Sequence, residues 1–132
     1  MSIIYLASPY THSDPIVCDA RYETITEIAA KLVLQKKIVF SPITMTHPYD
    51  RILAEPGNTL GSDYWVNFDI AFMDVCSEMY VATIPGWEDS SGIKREIEYF
   101  ERQGKKVTYI GPADFDIDFA DIRFRAAFDN SA

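Results

Sequence analysis

The chain has 132 residues, of which 48% are hydrophobic, and its formal net charge is −8. This length suits one domain, and the hydrophobic fraction excludes a disordered composition. The negative charge disfavours binding to nucleic-acid polymers, and no apolar run approaches the roughly 20 residues of a membrane span. The first ten residues also lack the basic start of a signal peptide, so we expect a cytoplasmic protein with no membrane partner.

The first 40 residues predict a strand, a helix and a second strand. Residues 3–7 are a short apolar run that ends at a Ser-Pro pair, which is typical of a buried strand followed by a turn. Pro15 stands at the first position of a helix of about five turns, and residues 38–40 form the second strand. The buried stripe of this helix repeats at spacings of three and four through Cys18, Tyr22, Ile25, Ala29 and Leu32.

The rest of the chain predicts a long connection and then two helix–strand pairs. Residues 41–62 hold three prolines and two glycines, so we expect an irregular loop with a short helix at about 48–55. A helix at 63–76 follows, and its buried face is marked by Trp65, Phe68, Phe72 and Val75. The remaining elements are a strand at 79–83, a helix at 90–103 that stops before a glycine, and a strand at 107–110.

Strands that alternate with helices predict an α/β fold with right-handed crossovers. We expect a single-domain, flavodoxin/Rossmann-like three-layer sandwich whose mainly parallel sheet has four to five strands. This domain is assigned to residues 1–112. Residues 113–132 form a tail of alternating acidic and apolar residues, and so many aromatic side chains should pack on the core or on a partner subunit.

Ligands of a parallel α/β sheet bind beyond the carboxyl ends of its strands. In this chain four segments meet at that edge, namely residues 8–10, 41–50 and 85–92 and the residues after Ile110. The chemical groups of a site are therefore expected among these segments and in the helices that they begin.

Glu96 is the first candidate for a chemical role. It lies in the second turn of the helix at 90–103 and borders the apolar stripe of that helix. A carboxylate near a helix N-terminus is held ionised by the helix dipole, which suits a nucleophile. The alternative interpretation is a solvated helix acid, such as Glu98 on the same helix.

Three possible ligand-binding residues precede Glu96 at the start of the same helix. Ser90, Ser91 and the backbone amide of Gly92 are free donors there, and a glycine lets a ligand approach the backbone closely. From Ser90 to Glu96 the helix rises roughly 8–9 Å. A nucleoside 5′-phosphate has a comparable reach from phosphorus to the anomeric carbon, so one helix can hold the phosphate and present the nucleophile.

Other chemically active side chains allow more than one interpretation. Asp69 flanks an apolar helix face, where it is either a proton donor or sugar-positioning group, or a satisfied or half-exposed aspartate. His47 is either a contact to a base or an ordinary loop histidine. His12 and His47 are too isolated for a zinc site, and Cys18 and Cys76 fit reduced core residues. We therefore expect no metal and no cofactor.

Several of these segments together resemble the nucleoside 2-deoxyribosyltransferase superfamily. They are residues 4–10, 65–69 and 85–92, followed by Glu96. The nearest likeness is to a bacterial and phage branch with a Tyr-Leu-Ala-Ser-Pro-Tyr start and a Pro-Gly-Trp…Ser-x-Gly-x-x-x-Glu core. The resemblance extends from residue 3 to about residue 110 and leaves the tail unmatched.

The resemblance implies roles for particular residues. It implies that Glu96 attacks the anomeric carbon, that Ser90 takes the 5′-phosphate, and that Asp69 helps with the sugar or the base. The remaining substrate-binding residues that it implies are Ser8, Pro9, Tyr10, His47, Asp89, Ser91 and Gly92. The loop after the first strand departs from the glycine-rich loop of the monophosphate hydrolases, which puts the preference for a phosphate in doubt. The superfamily commonly forms homo-oligomers.

The function that these observations predict is hydrolysis of the base–sugar bond of a nucleoside or deoxynucleoside 5′-monophosphate, through a covalent glycosyl–glutamate intermediate. The alternative enzyme is a nucleoside 2-deoxyribosyltransferase that acts on free nucleosides. A rival of another class is a nucleotide-binding sensor that performs no reaction. A structural or interaction protein that works through its apolar tail is the third possibility.

Overall fold

The computed structural model of the chain describes residues 2–58 and 60–115, so most of the predicted tail, residues 116–132, lies outside the described residues. The strands are β1 (Ile3–Ala7), β2 (Ile38–Phe40), β3 (Glu78–Ala82) and β4 (Lys106–Ile110). The helices are α1 (Pro15–Leu34), α2 (Pro42–Ala54), α3 (Ser62–Val75) and α4 (Ser91–Arg102). Short 3₁₀ turns follow β3 at Trp87–Asp89 and β4 at Pro112–Phe115.

The four strands form one parallel sheet in the order β2-β1-β3-β4. Tyr5 in β1 is in register with Phe40 of β2 on one side and with Met79 of β3 on the other. The chain leaves β1 toward β2 and leaves β3 toward β4, which are opposite directions along the sheet. The crevice between the carboxyl ends of β1 and β3 is therefore the topological switch point, where ligands of such folds bind.

Both faces of the sheet are covered, which confirms the predicted three-layer α/β sandwich. On one face α3 and α4 bury a cluster that includes Tyr5, Met73 and Phe100. On the other face α1 buries a second cluster around Leu6 and Ile28. Phe115 packs into this second cluster, so the first residues of the predicted tail contact the core. None of the helices within the described part of the chain is long and apolar enough to cross a bilayer.

The predicted loop at residues 41–62 is wrong for most of its length, because α2 occupies Pro42–Ala54. Pro42 begins this helix, where the missing N–H of a proline is not needed. Pro48 lies inside the helix and removes one of its hydrogen bonds. Packing against α1 compensates for this loss, since the hydroxyl groups of Thr26 and Thr44 bond across the two helices at 2.8 Å.

The buried faces of two other helices differ from the predicted ones. In α1, Cys18, Tyr22 and Ala29 are only half-buried, because α1 contacts the sheet through Ile25, Ile28 and Leu32 while α2 lies over Tyr22. In α3, Val75 is 64% exposed and Met73 is the fully buried residue. Phe68 and Phe72 are half-buried, and Phe72 stacks on Phe40 with ring centroids 4.1 Å apart.

Candidate active site

A cleft of about 670 Å³ opens at the carboxyl ends of β1 and β3. Its walls are the loops after these two strands, parts of α2, α3 and α4, and Arg21 of α1. The predicted site residues that line it are Ser8, Pro9, Tyr10, Asp69, Asp89, Ser90, Ser91, Gly92 and Glu96. The structure thus gathers into one cavity nearly all the residues that the sequence predicted for the site, from Ser8 to Glu96.

Glu96 is a buried carboxylate in the wall of this cleft. Only 8% of the residue is exposed, and the phenol of Tyr5, in the central strand, donates a hydrogen bond to Oε2. Burial raises the pKa of Glu96 to about 7, the Tyr5 hydrogen bond and Arg95 lower it, and the charge of Asp69 raises it. The interpretation of Glu96 as a solvated acid is therefore wrong, because Ile93, Glu96 and Phe100 together form the buried face of α4.

Asp69 reaches the same cleft from α3. It is half-buried, and this burial raises its pKa to about 6 against an opposing effect of Arg95. Both carboxyl groups therefore have pKa values well above those of free acids, and they titrate as an interacting pair.

The N-terminus of α4 forms another part of the wall. Ser90 is the N-cap, and its Oγ accepts the backbone N–H of Ile93 at 3.2 Å, which leaves the hydroxyl proton free to donate. Gly92 is half-buried at the second helical position. A Cβ on Gly92 would meet its nearest atoms at 3.8 Å, an ordinary contact distance, so the fold itself does not exclude a larger residue there.

His47 does not line the cleft. It belongs to α2, where it is 6% exposed and stacks on Tyr22 with ring centroids 4.2 Å apart. Its Nδ1 is 2.6 Å from the hydroxyl of Tyr10, and its Nε2 is 3.2 Å from Asp19. Burial lowers the pKa of His47, while Asp19 opposes that effect. His47 is therefore neither a loop residue nor a wall of the cleft, and it contacts Tyr10, which does line the cleft.

The predicted site residues did not include His12 and Arg21, which line the cleft, or Tyr5, which bonds to Glu96. Arg21 carried a recognisable signal, because Arg21, Ile25, Ile28 and Leu32 repeat at helical spacing, which places a charged residue on a buried face. For Tyr5 and His12 we find no such signal in the sequence pattern. The phenol of Tyr5 meets Glu96 only through the packing of α4 on the sheet.

The donor atoms of common metal ligands are not assembled in the cleft. Across residues 2–58 and 60–115, no three histidine, cysteine or acidic side chains are grouped as a metal site requires. Cys18 and Cys76 are both unpaired, and burial raises the pKa of the Cys76 thiol to about 11.

Residues 2–111 match the sequence model of a protein family described as "Domain of unknown function (DUF1937)". The chain belongs to this family. The matched range contains all four strands of the sheet and every cleft residue named above. No curated protein matches the sequence significantly. The description of the DUF1937 family assigns no activity, so the resemblance to the deoxyribosyltransferase superfamily stays a prediction.

Proposed function

We propose that the chain is an N-glycosidase that hydrolyses the base–sugar bond of a nucleoside or deoxynucleoside 5′-monophosphate through a covalent intermediate on Glu96. The observation that carries this proposal is the buried Glu96 carboxylate in the cleft wall, bonded to Tyr5 and with a pKa of about 7. A carboxylate that is partly ionised near neutral pH and shielded from water suits a nucleophile that must also serve as a leaving group.

In the first step the ionised Glu96 attacks the anomeric carbon. A bond forms between a carboxylate oxygen and that carbon, while the carbon–nitrogen bond breaks and its electron pair passes to the base. The Tyr5 phenol holds Oε2 and orients the carboxylate. Asp69 lines the same cleft with its own raised pKa, and we assign it to positioning the sugar.

In the second step water releases the sugar. The water oxygen bonds to the anomeric carbon, the ester bond to Glu96 breaks, and Glu96 recovers its carboxylate. One proton of the water stays on the new hydroxyl group, and the other is taken up by the departed base or by solvent. The products are the free base and a sugar 5-phosphate, and neither step requires a redox reagent.

The 5′-phosphate is assigned to the N-terminus of α4. The hydroxyl proton of Ser90 and the first backbone amides of the helix are available to an anion, and the helix dipole favours a negative charge there. Ser90, Ser91 and Gly92 all line the cleft that contains Glu96. The helical rise of roughly 8–9 Å between Ser90 and Glu96 suits the length of a nucleoside 5′-phosphate.

We also propose a cytoplasmic homo-oligomer. The two unpaired cysteines suit a reducing compartment. Large apolar side chains stand exposed on α2 and α3, among them Tyr49, Ile52 and Tyr64. Size-exclusion chromatography with light scattering tests this part of the proposal, and a monomeric mass at micromolar concentration contradicts it.

The test of the reaction is base release from a panel of ribo- and deoxyribonucleoside 5′-monophosphates and free nucleosides, followed by chromatography. At least one monophosphate should release its base, and Glu96→Gln should lower that rate by several orders of magnitude. Glu98→Gln, which changes an exposed acid on the same helix, should leave the rate unchanged. Mass spectrometry of quenched reactions should detect a sugar-phosphate adduct on the wild-type chain and none on Glu96→Gln.

Other results would select other functions. Base release that requires an added acceptor base indicates a deoxyribosyltransferase. Nucleotide binding without release, unaffected by Glu96→Gln, indicates a sensor and contradicts the proposed enzyme.

A further inference from the structure

A cluster of polar side chains lies behind one wall of the cleft. His47 on α2 has a partner at each ring nitrogen, since the Tyr10 hydroxyl lies 2.6 Å from Nδ1 and Asp19 Oδ1 lies 3.2 Å from Nε2. Arg51, one turn further along α2, also bonds to Asp19. Tyr10 lines the cleft, whereas the other three residues do not. The proposed reaction gives this set, called the His47 cluster, no role.

The surroundings of His47 decide the direction of its hydrogen bond with Tyr10. A carboxylate only accepts hydrogen bonds, so Asp19 favours a ring proton on Nε2. Burial lowers the pKa of His47, which favours the neutral ring, and Nδ1 of that ring is then an acceptor. Burial also raises the pKa of Tyr10 to about 12, so the phenol keeps its proton. Tyr10 therefore donates to Nδ1 of His47.

Tyr10 depends on this bond for its position in the cleft wall. It lies in the loop between β1 and α1, and none of the backbone–backbone hydrogen bonds that the described residues form outside helices and strands involves it. The ring of Tyr10 meets that of His47 edge-on, with centroids 5.5 Å apart, and His47 in turn stacks on Tyr22 of α1. The position of Tyr10 therefore follows that of His47.

His47 also supports the part of α2 that faces the cleft. Thr46 and Asp50 line the cleft one helical turn apart, while His47 between them contacts α1 through Tyr22. Pro48 follows His47 directly and has no N–H to donate to the helix. Because α2 lacks one backbone hydrogen bond where it carries these two wall residues, the contacts of His47 with α1 help to hold that part of the helix in place.

We propose that His47 is a positioning residue that holds Tyr10 and the adjoining part of α2 in the cleft wall and thereby sets the affinity for the ligand. The inference rests on the proposed function, which supplies the class of ligand. Among the described residues, neither Tyr10 nor His47 forms a hydrogen bond with Glu96 or Asp69. Loss of the Tyr10–His47 bond should therefore weaken binding of substrate and transition state equally, which raises KM and leaves kcat unchanged.

A double-mutant cycle on the full chain tests whether His47 acts through Tyr10. Tyr10→Phe removes the donor, and His47→Phe removes both ring nitrogens but keeps a ring against Tyr22. For the nucleoside 5′-monophosphate that releases its base fastest, each variant should raise KM roughly threefold to tenfold, as expected for one neutral hydrogen bond, with kcat within about twofold. The double variant should raise KM no further than the single variants do. If His47→Phe does not fold, His47→Gln takes its place in the cycle.

Tyr22→Phe is the matched control for the cycle. It keeps the ring that stacks on His47 and removes a hydroxyl that bonds to no member of the His47 cluster, so KM should stay at the wild-type value.

Long-range ¹H–¹⁵N NMR spectra of the free protein test the bond without any nucleotide. The proton of the His47 ring should be on Nε2, and Tyr10→Phe should shift the Nδ1 signal more than the Nε2 signal. A proton on Nδ1, an Nδ1 signal that Tyr10→Phe leaves in place, or increases in KM that add in the double variant overturn the inference.

Dissociation constants of the same monophosphates separate this inference from the proposed reaction. If no monophosphate is cleaved but binding weakens non-additively in the cycle, the proposed reaction is overturned and the positioning role of His47 is retained. If none of the monophosphates binds, both are overturned.

Discussion

Tyr5 and Glu96 are 91 positions apart in the chain, and the phenol of the first donates a hydrogen bond to the carboxylate of the second inside the core. Tyr5 is completely buried in the central strand, and Glu96 lies in the second turn of α4. Burial raises the pKa of Tyr5 well above 10, so the phenol keeps its proton and remains a donor. The pair therefore holds the Glu96 carboxylate in an apolar environment with Oε2 fixed against the phenol.

Tyr5→Phe should shift the ionisation of Glu96 to higher pH. The variant removes the hydrogen bond that lowers the pKa of Glu96 and leaves the burial that raises it. The acid limb of the pH–rate profile should move upward, and the rate at pH 7 should fall roughly tenfold to a hundredfold, as expected for a lost bond to a charged group. The measurement is kcat/KM for the best nucleotide substrate between pH 5 and 9.

Tyr99→Phe is the matched control for this prediction. Tyr99 donates to Asp74 on an exposed part of the surface, so its loss should leave the pH profile in place. An unshifted profile for Tyr5→Phe, with the rate lowered equally at every pH, would show that the phenol only fills space.

Asp69→Asn should shift the same profile in the opposite direction. The negative charge of Asp69 raises the pKa of Glu96, so its removal should move the acid limb to lower pH. Because we assign Asp69 to positioning, the plateau rate should fall less than the roughly hundredfold or more that loss of a general acid produces. Asp74→Asn, an exposed change on the same helix, is the control. A larger loss at low pH, together with the disappearance of the alkaline limb of the wild-type profile, would instead identify Asp69 as the proton donor.

Glu96→Gln should make the folded protein more stable at pH 8 than the wild type. The pKa of Glu96 rises from an ordinary 4.5 to about 7 on folding, so the folded state holds its proton more tightly than the unfolded state. The stability that this proton provides is complete below about pH 4.5 and is lost as the pH rises through about 7. The loss is on the order of 3 kcal/mol, and the raised pKa of Asp69 acts in the same direction.

Urea unfolding at pH 5 and pH 8 measures this difference. The free energy of unfolding of Glu96→Gln, relative to that of the wild type, should be higher at pH 8 than at pH 5. Glu98→Gln should have the wild-type free energy of unfolding at both pH values, because Glu98 is exposed. If the difference in free energy of unfolding between Glu96→Gln and the wild type does not change with pH, Glu96 does not have a pKa raised by burial.

Gly92→Ala should stabilise the chain and impair ligand binding. The added methyl group meets its nearest atoms at 3.8 Å, and alanine is better than glycine in a helix by about 1 kcal/mol. The same methyl group stands in the cleft wall at the start of α4, where the proposed phosphate must approach the backbone. Thermal unfolding should give a higher Tm, and nucleotide affinity should fall at least tenfold. Unchanged affinity would place the phosphate elsewhere in the cleft.

Part of the site could be predicted because it depends on local pattern. Ser90, Gly92 and Glu96 lie on one helix, where spacing along the chain fixes their relative positions. The α/β order and the parallel sheet followed from alternating strand and helix signals. His47 could not be placed in this way, because Pro48 suggested a loop where packing against α1 maintains a helix.

The sequence by itself determined the order of the strands and of three of the four helices, and it indicated the edge of the sheet at which the cleft opens, since hydrophobic periodicity and turn residues act over a few neighbouring positions. Only the tertiary structure decided which polar groups are buried together. Burial of Glu96 against Tyr5, and of Arg21 with no partner for its Nε among the described residues, arises when helices from opposite faces close around the ends of β1 and β3. Desolvation and electrostatic coupling depend on that three-dimensional proximity, which spacing along the chain does not encode.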